Sequence, residues 1–349
     1  MKQVVALSVA LVVSLVGAYM TWTDEGEEPA EDAVALYAAS ESDLTRLKYD
    51  SEDLSIVIER KEDAKGDYIW VDSTETKRPK KKTPMDEIHG HGDEGEDGAT
   101  PENPLAPESE AEEKVEVIHD AFVASVQGDE LWSSFAPLHA MRELDKPSDP
   151  AVFGLDQPRG TLVVTRSSGD VTLTLGGETY GSKDRYVQVG DKVFLVDDAL
   201  LKPLENAATR ILERNLFPLD EKDVDTLSAT SAAGATLSWK HANMDDPKGA
   251  FWARPDSPDT DDASGGTWIG KVMRLKVRDY VDEADLAGAQ QVMAYTVAGK
   301  GQTWSVKVLR TDAEPASWYA VSDFNRVPVS LTESLVKDVV ADLDELAAE

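Results

Sequence analysis

The run Gly265-Gly266-Thr267-Trp268-Ile269-Gly270-Lys271-Val272 has the glycine and lysine spacing of a phosphate-cradling loop. In such a loop the position after the lysine brings a hydroxyl to magnesium, and here it is Val272. The preceding Asp261-Asp262-Ala263-Ser264 is not an apolar strand either, so the run reads as a turn entering a strand. His89-Gly90-His91, followed by Asp93 and Glu94, pairs imidazoles with carboxylates in a way that suits zinc, nickel or copper. A stable site needs fixed geometry, and the polar tract around these histidines offers none, so they read as solvated. Asp256, Asp259, Asp261 and Asp262 form an acidic loop of calcium-like composition. Counted from Asp259, the twelfth position should bring a bidentate glutamate and is Gly270. His89, His91, Asp259 and Asp261 are therefore metal candidates without a complete ligand set. His119, His139 and His241 are scattered, and Trp304 and Trp318 are the tryptophans to inspect for an exposed cleft. No Gly-x-Ser-x-Gly elbow or His-Glu-x-x-His pair occurs, and with 67 Asp and Glu any choice of acid and base is arbitrary. No catalytic residue and no cofactor is assigned, and a non-enzymatic role is expected.

The 349 residues have a net charge of −32 and no cysteine. So acidic a surface disfavours nucleic acid and anionic headgroups, and it favours solubility or a basic partner. Without thiols there are no disulfides, no thiolate metal site and no lipoprotein anchor. Hydrophobic residues make up 41% of the chain, enough for real cores in two domains.

Residues 4–19 form an apolar run after Lys2, and Asp24, Glu25, Glu27 and Glu28 follow it. That polarity predicts a signal anchor or transmembrane helix over 1–22, spanning an inner membrane through residues 4–20. The N-terminus then faces the cytoplasm and the bulk of the chain lies outside it. Residues 23–42 read as an acidic spacer. Strands are expected at 44–49, 54–59 and 68–71, then a disordered charged insertion at 74–113. The insertion opens with Lys77-Arg78-Pro79-Lys80-Lys81-Lys82 and turns acidic. Apolar stripes predict helices over 111–126 (Val115, Ile118, Phe122, Val126) and 131–144 (Trp132, Phe135, Leu138, Met141).

Residues 153–223 organise the rest. A turn at 154–158 feeds a strand at 161–165, and Ser168-Gly169-Asp170 returns the chain into 171–175. A second hairpin pairs 186–189 with 193–196 around Gly190-Asp191. A helix capped by Asp197 or Asp198 follows, with Leu200, Leu201, Leu204 and Ala208 on one face and Pro218 after its end. The Phe-Gly-Leu-Asp-Gln-Pro opening at 153–158, the Gly-Asp-Lys-Val-Phe-Leu-Val hairpin and the Arg-Asn-Leu-Phe-Pro-Leu-Asp exit at 214–220 resemble the bacterial family DUF4340. The resemblance covers about 150–230. It implies a membrane-anchored domain facing away from the cytoplasm, often encoded beside ABC-transporter and gliding-type auxiliary proteins, and it implies no catalytic residues.

After Pro218 the order of elements starts again. Residues 223–227 echo 43–47, 235–240 echo 54–60, and 250–252 echo 68–70. The hairpin around Gly299-Lys300-Gly301 echoes 161–175, and a final amphipathic helix carries Leu331, Leu335, Val339, Leu343 and Leu346. The expected fold is α+β: an N-terminal transmembrane helix, then two similar tandem units of twisted antiparallel sheet with packed helices, at 43–220 and 221–349. The expected role is an accessory or interaction module whose protein partner is a permease or auxiliary subunit. An extracytoplasmic carboxylate hydrolase or glycan binder, and a divalent-cation-binding module, are the alternatives.

Overall fold

Period-two alternation of apolar and polar residues builds most of the chain into antiparallel sheet, with few helices. The computed structural model describes residues 33–78, 115–145, 149–181, 184–246 and 248–348. The anchor expected over 1–22, His89, His91 and most of the charged insertion lie outside these residues. Among the described residues, no helix is long and apolar enough to cross a membrane.

The strands are β1 (Val34–Ala35), β2 (Leu44–Ser51), β3 (Leu54–Asp63), β4 (Gly66–Lys77), β5 (Glu116–Val123), β6 (His139–Ala140), β7 (Arg142–Leu144), β8 (Gly160–Arg166), β9 (Gly169–Glu178), β10 (Arg185–Val189) and β11 (Lys192–Val196). β12 (Thr226–Ser231), β13 (Thr236–Ala242), β14 (Phe251–Ala253), β15 (Val277–Tyr280), β16 (Gln290–Gly299), β17 (Gln302–Arg310), β18 (Trp318–Ser322) and β19 (Val329–Leu331) follow. The helices are α1 (Val126–Ser134), α2 (Lys202–Glu205), α3 (Ala207–Arg210), α4 (Ala263–Val272) and α5 (Glu333–Ala348).

One sheet has nine strands in the order β5-β4-β3-β2-β8-β9-β10-β11-β7. The other has eight, in the order β14-β13-β12-β16-β17-β18-β19-β15. Apart from β5, the two orders correspond strand for strand. In both, a helix (α1 or α4) precedes the short edge strand (β7 or β15), and helical turns follow the last central strand (β11 or β19). Registers keep the apolar faces together: Leu162 opposes Leu173 and Val164 opposes Val171, while Tyr295 opposes Val306. Leu162, Val164, Leu173, Tyr295 and Val306 are buried.

The chain divides into two compact units that interleave in sequence. One holds the chain up to Asp50, with Ile58–Ile69 and Ala124–Ile211; the other holds Ser51–Val57, Trp70–Val123 and Leu212–Glu349. In the first, Leu47, Ile58, Ile69, Trp132, Leu173 and Val187 are buried. In the second, Leu227, Trp239, Trp268, Val297, Val306 and Leu343 belong to one core cluster.

Several local expectations change. Residues 116–123, expected as helix, form strand β5, which pairs with β4 from Trp70↔Val123 to Lys77↔Glu116. The 3–4 spacing of Val115, Ile118 and Phe122 mimics a helix, but eight ladder pairs with a distant strand outweigh it. β4 also runs to Lys77, into the stretch expected to be disordered. The next helix covers Val126–Ser134 instead of 131–144, and Pro137 follows its end. Trp132, Phe135 and Leu138 are buried as the stripe required, whereas Met141 is exposed. The helix expected after Asp197 is broken into a short 3-10 turn, α2 and α3, interrupted near Pro203 and Asn206. Asp197 does cap it, accepting from Ala199 N at 2.8 Å. Part of the expected spacer is structured: β1 pairs with β6, and the buried Tyr37 donates its hydroxyl to Phe135 O at 2.9 Å.

Candidate functional site

α4 is the phosphate-loop-like run, so its glycines lie in a helix and not in a loop opening a strand. Its cap is Asp262, whose Oδ1 accepts from Gly265 N at 2.9 Å. The other oxygen accepts from Trp239 Nε1 at 2.8 Å and from Arg254 Nε. Burial by itself would raise this carboxyl, but donation from Gly265, Arg254 and Trp239 outweighs it and holds the group below its ordinary range. The N–H that a phosphate would need is thus already bonded to a carboxylate. Lys271 at the far end pairs with Asp342 of α5. Gly265 is required by close approach: an added Cβ would lie 2.0 Å from Trp239 Nε1. The Arg254 guanidinium lies 4.6 Å from the centre of the Trp239 ring, and Trp239 stacks on Trp268 at 5.1 Å. Trp268 Nε1 donates to Val339 O at 2.8 Å, which ties α4 to α5.

Between α4 and α5 an open groove of about 430 Å³ remains, lined by Ser264, Thr267, Trp268, Asp342, Glu345 and Leu346 among others. The first unit has a groove of about 290 Å³ between α1 and the turns after β11. Gln127, Glu130 and Leu131 line it from α1, and Leu200, Pro203 and Ile211 line it from the other side. Counted from the caps Ser125 and Asp262, the second, fifth and sixth positions line both grooves: Gln127 and Ser264, Glu130 and Thr267, Leu131 and Trp268. Both helices also carry glycine at the third position. At Gly128 an added Cβ would meet Ala124 Cβ at 2.3 Å.

Two polar clusters are buried. In the first unit, Arg185 donates to Asp198 at 2.6 Å and to Glu205 at 3.0 Å, and Lys202 pairs with Asp198 at 3.0 Å. Burial opposes the Arg185 charge, but Glu205 and Asp198 overcome it and raise the guanidinium above its ordinary value. Burial likewise pushes Asp198 up, and Lys202 and Arg185 bring it below its usual range. The result ties β10 to the helical turns. In the second unit, Asn325 donates to Asn215 O at 2.8 Å and accepts from Ser322 Oγ at 2.8 Å. Glu213 accepts from Asn215 N at 2.7 Å, and Tyr280 donates to Glu213 O at 3.2 Å. Burial raises the Glu213 carboxyl above its ordinary value.

The sequence motifs find physical roles here. Phe153 stacks on Tyr186 at 4.3 Å, and Gly154 sits at φ 65°, ending a 3-10 turn that presses on Gly176 and Gly177. The Arg-Asn-Leu-Phe-Pro-Leu run, expected to close the first unit, belongs to the second, where Leu216, Phe217 and Leu219 join the core. Asp256, Asp259 and Asp261 are exposed in the loop before α4, while Asp262 turns inward. Among the described residues, no three His, Cys, Asp or Glu side chains are grouped to hold a metal ion. His119 is exposed on β5, and His241 stacks on Trp252 at 4.4 Å. Trp318 is buried beneath Arg310 at 5.5 Å and Trp304 packs against the core, so neither opens a cleft. Sequence reading missed Arg185. The available signal was its parity, since alternation puts it on the same face as the buried Val187.

Residues 125–292 match the family model described as "Domain of unknown function (DUF4340)". No curated protein and no solved structure matches the chain.

Proposed function

We propose that this DUF4340 domain-containing protein is a non-enzymatic envelope component, held by one membrane span near its N-terminus. Its exported units act as an accessory or interaction module of a transport or gliding-type machine. The observation that carries this reading is how the charged groups are used. Asp262, Arg185, Asp198, Glu205 and Lys271 hold helices and strands in place, while the cavities beside them are open grooves between helices. Grooves of that kind suit protein surfaces better than small substrates that must be enclosed. The apolar run at 4–19 between Lys2 and the acidic residues supports the tether and its orientation. The matching strand orders support descent of both sheets from one tandem duplication.

The test is a pull-down of the full-length protein from its own membranes in mild detergent, with mass spectrometry of what accompanies it. Recovery of permease, ATPase or auxiliary subunits is the expected outcome. A protein found free in the soluble fraction, trimmed after its apolar run and without partners, would overturn the reading.

A further inference from the structure

The groove beside α1 and the groove beside α4 are flanked by corresponding elements of two sheets that, apart from β5, share one strand order. Three lining positions coincide when counted from each helix cap. Each has an apolar floor: Leu131, Leu200 and Ile211 in one, Trp268 and Leu346 in the other. Each is flanked by two helical segments, the arrangement into which a third helix lays apolar side chains at i, i+3, i+4 and i+7. Volumes of about 290 and 430 Å³ take a few aliphatic side chains and leave the rest of such a helix exposed.

The charges fix the other face of the occupant. Asp342, already paired with Lys271 of α4, and the exposed Glu345 rim the second groove, and α5 also carries Glu333, Asp338 and Asp344 against the single cation Lys337. Glu130 lies on the first groove, with Arg210 the cation lining it. The chain as a whole carries −32, so an acidic helix would be repelled and a basic one steered in.

We infer that the two grooves are duplicated docking sites for a basic amphipathic helix of a partner protein, its apolar face on Leu131/Leu200 or Trp268/Leu346 and its lysines and arginines drawn by the net negative charge of the chain and, in the second groove, by Glu345. This rests on the interaction-module reading and names the partner chemistry of the same grooves.

The experiment titrates the full-length protein in neutral detergent with a synthetic Leu/Lys helix of about five turns. The control is a peptide of identical composition, shuffled so that no apolar stripe forms. Tryptophan fluorescence and calorimetry report binding. Two sites are expected for the amphipathic peptide, with the shuffled peptide at least tenfold weaker. Leu200→Asp should remove one site and Leu346→Asp the other. Both residues are partly exposed, so the variants should fold, as a retained melting transition will show. Glu345→Lys should weaken the second site and make it less dependent on salt. Equal affinity for the two peptides, or unchanged stoichiometry in both Asp variants, would overturn the proposal. If the peptide fails while the pull-down still recovers partner subunits, the interaction-module reading stands and only the groove assignment falls.

Discussion

Asp262 shows how one carboxylate can serve three donors. Replacing it with alanine removes a helix cap and strands the Trp239 indole N–H and the Arg254 guanidinium. The expected loss is about 2–4 kcal/mol in urea unfolding at neutral pH. Because the folded carboxyl lies below its ordinary value, its contribution is complete above the unfolded carboxyl's pKa of ~3.9 and is lost as pH falls through the folded value. The gap between wild type and Asp262→Ala should therefore be full at neutral pH and close in acid; a pH-independent gap would refute this account. Glu213 behaves oppositely. Its folded carboxyl is raised, so the folded state binds more protons between the ordinary and the folded value, and stability falls as pH rises through that window. Glu213→Gln keeps an acceptor for Asn215 N and removes the buried charge. Its melting temperature at pH 7 should rise by on the order of a few degrees, and the gain should vanish near the ordinary carboxyl value.

At the scale of elements, the glycines of α4 are not equivalent. Gly265 faces Trp239, whereas an added Cβ at Gly270 meets nothing within 4 Å. Gly265→Ala should destabilise by about 1–3 kcal/mol through overpacking, although alanine is the better helix former. Gly270→Ala should stabilise by about 0.5–1 kcal/mol through that same propensity. If both changes moved unfolding the same way, close approach would not be the reason for Gly265. The same residues explain what a reader of the sequence could see. The hairpins were legible because Ser168-Gly169-Asp170, Gly190-Asp191 and Gly299-Lys300-Gly301 supply turn chemistry between alternating runs, and all three are found joining strands. α4 was not legible, because three glycines in its ten residues contradict helix propensity and only Gly265, against Trp239, is required by packing. β5 was not legible, because its partner precedes it across a long polar tract and its own spacing imitates a helix. Of the candidate site, Asp262 was visible as one of four loop carboxylates, yet nothing in the spacing shows that it alone turns inward.

Across the whole molecule, a charge of −32 on 349 residues makes self-repulsion a global term. Added salt shortens the reach of each carboxylate to about 8 Å at physiological ionic strength. Melting temperature should rise with sodium chloride and level off as screening saturates. Calcium chloride at matched ionic strength separates general screening from cation binding, because screening alone gives the same curve for both salts. A larger shift with calcium would favour the cation-binding alternative.

The interleaving of the two units sets a timetable for biosynthesis. Trp70–Val123 leaves the ribosome before Ala124–Ile211 but belongs with Leu212–Glu349, which comes last. At ~5–20 residues per second, the early segment waits on the order of 10–45 seconds for the rest of its unit. During that interval β5 has β4 as a neighbour but not Tyr280, whose ring later comes within 6.4 Å of Phe122. A truncation after residue 211 would leave that unit permanently incomplete.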